Sequence, residues 1–137
     1  MADTYAIRHR TPSSTTYREL RTACGLSAKS EAAARRGLAG TLFAVEVLHG
    51  DETVGMGRVI GDGGCFFQVV DIAVLPAHQG RGLGTRIMGE IRAWIDAHVP
   101  PGGYVSLLAD GGAQALYARF GFAPTAPASI GMALKKD

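Results

Sequence analysis

The sequence predicts a single α/β domain of the α+β kind, a mixed and mostly antiparallel sheet flanked by helices. Two observations carry this prediction. Three strand-like runs, Thr41 to Leu48, Thr53 to Ile60 and Cys65 to Val74, follow one another across tight turns, as in a meander. After them a Gly-rich turn opens a long segment of helical period, with Leu83, Ile87, Ile91, Trp94 and Ile95 on one face. A length of 137 residues, with no internal repeat, fits one domain spanning residues 1–137 around one core.

Each element has a local reason. Thr4 to Arg8 alternates weakly and suits an edge strand. Thr11-Pro12-Ser13 signals a helix start, since proline is tolerated in a first turn. Ser14 to Cys24 then places Tyr17, Leu20 and Cys24 on one face, and Gly25 closes the helix. Lys29 to Leu38 is rich in Ala and charge and predicts a second helix, ending near Gly37 or Gly40. His49-Gly50-Asp51 joins the first two meander strands as a hairpin, and Gly61-Asp62-Gly63-Gly64 joins the second pair. The long helix, from about Gly82 to His98, stops at Pro100-Pro101-Gly102-Gly103. Tyr104 to Leu108 predicts a further strand. Gly111 to Phe120 predicts a short helix, with Ala113, Leu116, Tyr117 and Phe120 on one stripe and Gly121 after it. Phe122 to Pro124 is expected to start another strand, and Ile130 to Leu134 to close the sheet.

Composition excludes several function classes. A net charge of +2, with no Lys/Arg run longer than two, gives no footprint for nucleic acid. No apolar run reaches the length of a membrane span, and the first ten residues lack a secretory core, so a cytoplasmic location is expected. Cys24 and Cys65 offer neither a disulfide framework nor metal spacing, and no metal is expected.

The stretch from Val69 to Ile87 organises the chain. A buried strand runs to Val74, Pro76 forbids its ladder from continuing, and Gly80, Gly82 and Gly84 follow at every second position before the helix. Such a loop suits an anion: glycines let the backbone approach it, and the amides of the first helical turn point outward with the helix dipole behind them. Three alternating glycines are costly for a turn that binds nothing. A dinucleotide loop would need glycine at position 85, which is Thr85, and a Walker loop would need Gly-Lys-Ser/Thr. What is present is Gln79-x-x-Gly82-x-Gly84.

That hexapeptide, after a strand ending DIAVLP, resembles the pyrophosphate-binding signature of the GNAT superfamily of N-acetyltransferases, and the element order β-α-α-β-β-β-α-β-α-β-β is similar to theirs along nearly the whole chain. Leu116-Tyr117-Ala118-Arg119-Phe120-Gly121-Phe122 resembles the family's L-Y-x-x-x-G-F segment, and Gly55-x-Gly57-Arg58 with Asp62-Gly63 is similar to a pattern of bacterial members. One departure is Ala109-Asp110-Gly111-Gly112, where many members carry a cofactor-contacting Asn.

The resemblance implies a sheet splayed between its fourth and fifth strands, with acetyl-coenzyme A as co-substrate and a small-molecule or protein amine as acceptor. It implies that Gln79, Gly80, Arg81, Gly82, Leu83, Gly84 and Thr85 surround the pyrophosphate. The pantetheine arm would pair along Ile72, Ala73 and Val74 as an added strand. The Ile72 amide would donate to the thioester oxygen, and Tyr117 would contact the cofactor and protonate the leaving thiolate. Arg81 reads equally as a cation for a phosphate or as a solvated loop charge. A possible homodimer follows from the family's habits alone.

The general base stays open. Asp71 is the one charged residue between Cys65 and Leu75. A carboxylate there must be paired, solvated or raised in pKa. It serves either as a base or ammonium attractor facing the cleft, or as the partner of Arg58. Glu46 is a second candidate. Gln68 stands where some members carry a catalytic Glu. Of the histidines only His78, beside the loop, is of interest. A non-catalytic acyl-coenzyme A sensor is the alternative function, and Tyr117 separates the two, because a sensor needs no acid beside the sulfur.

Overall fold

The computed structural model describes residues 4–136. In chain order the elements are β1 (Ala6–Arg8), α1 (Ser14–Ala23), α2 (Glu31–Ala39), β2 (Phe43–His49), β3 (Glu52–Gly61), β4 (Phe66–Val74), α3 (Leu83–His98), β5 (Tyr104–Ser106) and α4 (Gln114–Ala118). Short 3₁₀ turns at Pro76–His78 and Gly111–Ala113 precede α3 and α4.

The five strands form one sheet in sequence order. The first four pair antiparallel, and β5 joins β4 in parallel through the α3 crossover that such pairing demands. The turn before β4 is tied by Asp62, whose Oδ1 accepts the amides of Gly64, Cys65 and Phe66 at 2.8, 2.8 and 3.0 Å. Those amides, led by that of Phe66, hold its carboxyl below the ordinary range.

Each face of the sheet carries its own apolar cluster. On one face Val45, Val47, Val59, Phe67 and Val69 pack against Leu83, Ile87, Met88 and Ile91 of α3. On the other, Met56 and Ala73 pack against Tyr17 and Leu20 of α1 and Ala34 and Leu38 of α2. The apolar stripe read from α3 is the face it buries, with Met88 added. Close packing on the α3 side explains Gly57: a Cβ there would lie 2.7 Å from both Ile72 Cδ1 and Ile87 Cγ2.

The sheet ends at β5, which corrects two expectations. No strand follows α4 among the described residues: Phe122 to Pro124 pairs with nothing, and Ile130 to Leu134 closes no sheet. Pro124 and Pro127 remove ladder donors from the approach. Ile130, Met132 and Leu134 are 71, 87 and 93% exposed. Alternation makes a segment able to form a strand, but a strand also needs an edge to pair with, and none of this chain's own edges receives it. The fifth strand is shorter than expected for a different reason. Leu107 and Leu108 leave the sheet, and this departure opens the cleft described next.

Candidate active site

Strand β4 is zipped on both sides only at its start. Phe66, Phe67 and Gln68 pair with Tyr104, Val105 and Ser106 of β5. Beyond them Val69 to Val74 keeps β3 on one side and has no strand on the other. Between that open edge, the chain after β5, and α1 lies a cavity of about 530 Å³. Tyr17, Arg21, Arg58, Asp71, Ile72 and Tyr117 are among the residues lining it.

A bulge decides what faces this cavity. Met56 pairs with Ala73 and Arg58 with Val70, so Asp71 and Ile72 together oppose Gly57. Asp71 takes the left-handed conformation, with φ of 60°. A strand alternates its side chains, so Asp71 would otherwise share the α3-facing parity of Phe67 and Val69. The extra residue shifts that parity. Ile72 packs toward α3, while Asp71 and Ala73 face α1.

There Asp71 is saturated. It accepts from Arg58 Nε at 2.8 Å, from the Tyr17 hydroxyl at 3.0 Å and from Arg21 Nη1. Its side chain is 5% exposed. The Tyr17 phenol is pushed up by burial first and by the Asp71 charge second, so it stays protonated and donating. Arg21 is fixed further by the carbonyl and hydroxyl of Ser27, and Arg58 by Thr41 Oγ1 at 2.7 Å. Of the two roles open to Asp71, the structure realises the pairing with Arg58. It adds Tyr17 and Arg21, which sequence reasoning missed. Their signal was present: residues 17 and 21 lie one turn apart on a helix whose face was counted only for apolar residues.

Glu46, the other candidate base, does not reach the cavity. It is buried elsewhere, bound by Arg10 Nε at 2.6 Å and the Thr53 hydroxyl at 3.0 Å. Gln68 does line the cavity, at the paired end of β4. His78 sits at the loop but spends Nδ1 on the Tyr5 hydroxyl at 2.9 Å, with its ring against Tyr5 and His49.

The Gly-rich loop connects the open edge to α3. Gly80 and Gly82 are both left-handed, with φ of 80° and 76°, and Gly82 is the N-cap of α3. No side chain caps this helix. The first intrahelical bond runs from Arg86 N–H to the Gly82 carbonyl, which leaves the amides of Leu83, Gly84 and Thr85 without intrahelical acceptors. By contrast Ser13 caps α1 and Ser30 caps α2. Gln79 also braces the loop. Its side-chain amide donates to the Val74 carbonyl at 3.0 Å and pins the loop to the end of β4. Gly84 is not left-handed; its missing Cβ lets Leu116 of the α4 helix come close, at 3.4 Å from where that Cβ would lie. Arg81 is exposed in the loop.

Tyr117 of α4 lines the cavity, as does Ile72. Burial, and then the charge of Asp110, push its phenol up, so it is protonated at neutral pH. No cluster of His, Cys, Asp and Glu among the described residues could hold a metal ion. No helix among them is long and apolar enough to cross a membrane.

A sheet opened between β4 and β5, with an uncapped glycine-loop helix following β4, defines the acetyltransferase class of fold. The model of the acetyltransferase (GNAT) domain matches residues 31–124, and the chain belongs to that family. A protein of unknown function from meticillin-resistant Staphylococcus aureus, described as a probable acetyltransferase, is 44% identical over 97% of this chain and 100% of its own, with a TM-score of 0.92. A GNAT family acetyltransferase from Streptococcus pneumoniae shares the fold at 21% identity, TM-score 0.77, with 98% of each chain covered. So does glucosamine-6-phosphate N-acetyltransferase from Arabidopsis thaliana, at 15% identity and TM-score 0.71, over 98% of this chain and 100% of that one. No curated protein matches.

Proposed function

We propose that the protein transfers an acetyl group from acetyl-coenzyme A to a primary amine. The observation that carries this reading is that the unpaired edge of β4 and the Tyr117 phenol line one opening, while α4, which carries Tyr117, packs through Leu116 against Gly84 in the uncapped first turn of α3. The residues fit such a co-substrate. The loop amides suit a pyrophosphate, each charge-assisted bond contributing roughly 1.5–3 kcal/mol. The edge of β4 suits an extended, amide-bearing arm, which it would bind by strand addition.

The thioester supplies the acetyl group and a thiolate leaving group. The protein's part is to hold it, shield it and move protons. The acceptor nitrogen attacks the thioester carbon, a C–N bond forms and the C–S bond breaks. Charge developing on the oxygen is met by the Ile72 amide, on the bulged stretch of β4. The Tyr117 phenol gives its proton to the departing sulfur and regains one from water. The proton lost by the nitrogen goes to water, because Asp71 already accepts three hydrogen bonds and Glu46 lies outside the cavity.

Calorimetric titration with acetyl-coenzyme A, beside ATP and NAD as controls, tests the first half of this reading. Selective binding is expected, and its absence in a folded sample overturns the proposal. Release of free thiol on adding amines tests the second half. Binding without turnover of any amine would mark the chain as a sensor instead.

A further inference from the structure

The α1 side of the cavity carries an unbalanced charge. Two guanidiniums, Arg21 and Arg58, converge on the single carboxylate of Asp71. Both arginines are more than nine-tenths buried, at 8% and 6% exposed. The carbonyls and hydroxyls around them, Ser27, Gly37 and Thr41, orient these cations without cancelling their charge. The Tyr17 ring lies 5.9 Å from one guanidinium and 5.2 Å from the other, and its phenol is neutral. The buried group therefore keeps a net charge of one positive unit. Around the rest of the cavity the charged residues are Lys29 on this wall and Asp110 toward α4. The excess thus lies on the α1 side.

A fixed positive charge in a partly desolvated cleft does two things. It disfavours a second cation, and it attracts an anion. The donors of Arg21 are already spent on Ser27 and Asp71, so the arginines act on such a group through their field, and the exposed Lys29 is the cation that can pair with it directly. An acceptor made only of amines, such as a polyamine, would meet repulsion where it must enter. An acceptor bearing a carboxylate or phosphate a few bonds from its amine would be drawn in, with its nitrogen directed toward the open edge of β4.

We infer that Lys29, in the positive field that Arg21 and Arg58 set up behind it, forms a subsite for an anionic group on the acceptor, so that the acceptors are amines carrying a carboxylate or a phosphate. The inference rests on the acetyl-transfer reading and deepens it. It also suits the lack of a side-chain base, since the same charge lowers the pKa of a nearby ammonium and enlarges its neutral fraction.

The test uses matched acceptors: glycine against glycinamide, glucosamine 6-phosphate against glucosamine, and spermidine as a polycation. In thiol-release assays the anionic member of at least one pair is expected to have a kcat/KM at least tenfold above its uncharged partner and above spermidine. The first pair reads a carboxylate and the second a phosphate, so the two sources are distinguished. K29Q is expected to raise KM for the preferred anionic acceptor about three- to tenfold, with a smaller change in kcat and in KM for its uncharged partner. R21Q is expected to do so more strongly, and Lys29 keeps the test decisive if R21Q does not fold. Preference for spermidine or for the uncharged partners overturns the inference, as does an unchanged anionic preference in K29Q and in folded R21Q. Failure to bind acetyl-coenzyme A at all overturns the acetyl-transfer reading itself, so the two failures are told apart.

Discussion

The wall of the cleft and the glycine loop before α3 treat polar groups in opposite ways. Around Asp71 donors and acceptors meet inside the protein: two arginines and a tyrosine close on one carboxylate. At Gly82 the first-turn amides of α3 have no intrahelical acceptor and no capping side chain. Unsatisfied backbone donors are uncommon in folded proteins unless water or a ligand takes them. A saturated cluster holds structure and sets a field, whereas an open helix end is free to bind. The difference teaches that the most conspicuous ionisable residue in the central strand is spent on partners within the fold, whereas the first-turn amides of α3 are not.

That contrast can be broken, and the largest effect is expected at the wall. Asp71→Ala leaves two buried guanidiniums without their carboxylate and is predicted to cost about 3–5 kcal/mol of stability. Urea denaturation reads it, and a loss below about 1 kcal/mol would mean that solvent already screens the cluster. Next comes Tyr117→Phe. It is predicted to lower kcat by about 10²-fold, or ~2.7 kcal/mol, with little change in acetyl-coenzyme A affinity. A wild-type rate would assign Tyr117 to packing alone. Because its pKa is raised, its protonated form persists through the ordinary tyrosine range. The pH profile of kcat should therefore show no Tyr117-dependent decline below about pH 10.

At the glycine loop, Gly82→Val should weaken acetyl-coenzyme A binding at least ~30-fold, equivalent to about 2 kcal/mol, as measured by calorimetry. Its backbone is left-handed, so a β-branched residue re-aims the amides while the core far from the loop stays folded by circular dichroism. Unchanged affinity would remove the loop from binding. The smallest change sharpens the comparison. Ser13→Ala opens the N-terminus of α1, which the serine now closes by accepting the Thr16 amide at 3.2 Å. It should cost about 1 kcal/mol and confer no new affinity for acetyl-coenzyme A, since that end lacks the glycine loop and the open strand.

A fifth measurement concerns stability at high pH. The phenols of Tyr17 and Tyr117 both have pKa values raised in the fold, mainly by burial. A raised pKa contributes stability that is present below the unfolded value, near 10, and is lost as pH rises toward the folded value. Denaturation midpoints should thus fall above about pH 10, and Tyr117→Phe should remove part of that fall.

Much of this molecule was legible from residues in sequence. The loop could be read because glycine, proline and helical periodicity act locally: Gly80 and Gly82 are left-handed in the structure, and Pro76 ends β4 as the sequence requires. The order of the elements through α4 followed from the same local rules. The C-terminal strands did not, because alternation in Ile130, Met132 and Leu134 says nothing about whether an edge is available. Nor was the length of β5 readable, since Leu107 and Leu108 are apolar whether they stay in the sheet or leave it.

By itself, then, the sequence determined where the chain turns, which segments are helical or extended through α4, and that a glycine-rich loop precedes α3. Only the tertiary structure decided which face Asp71 would take. Its parity along β4 pointed it at the α3 core, and a single extra residue opposite Gly57 turned it toward Tyr17 and Arg21 instead. Local propensities act over a few neighbours. Which charge meets which partner depends on strand register and on residues fifty positions apart in the chain, and those are set when the sheet and its helices pack together.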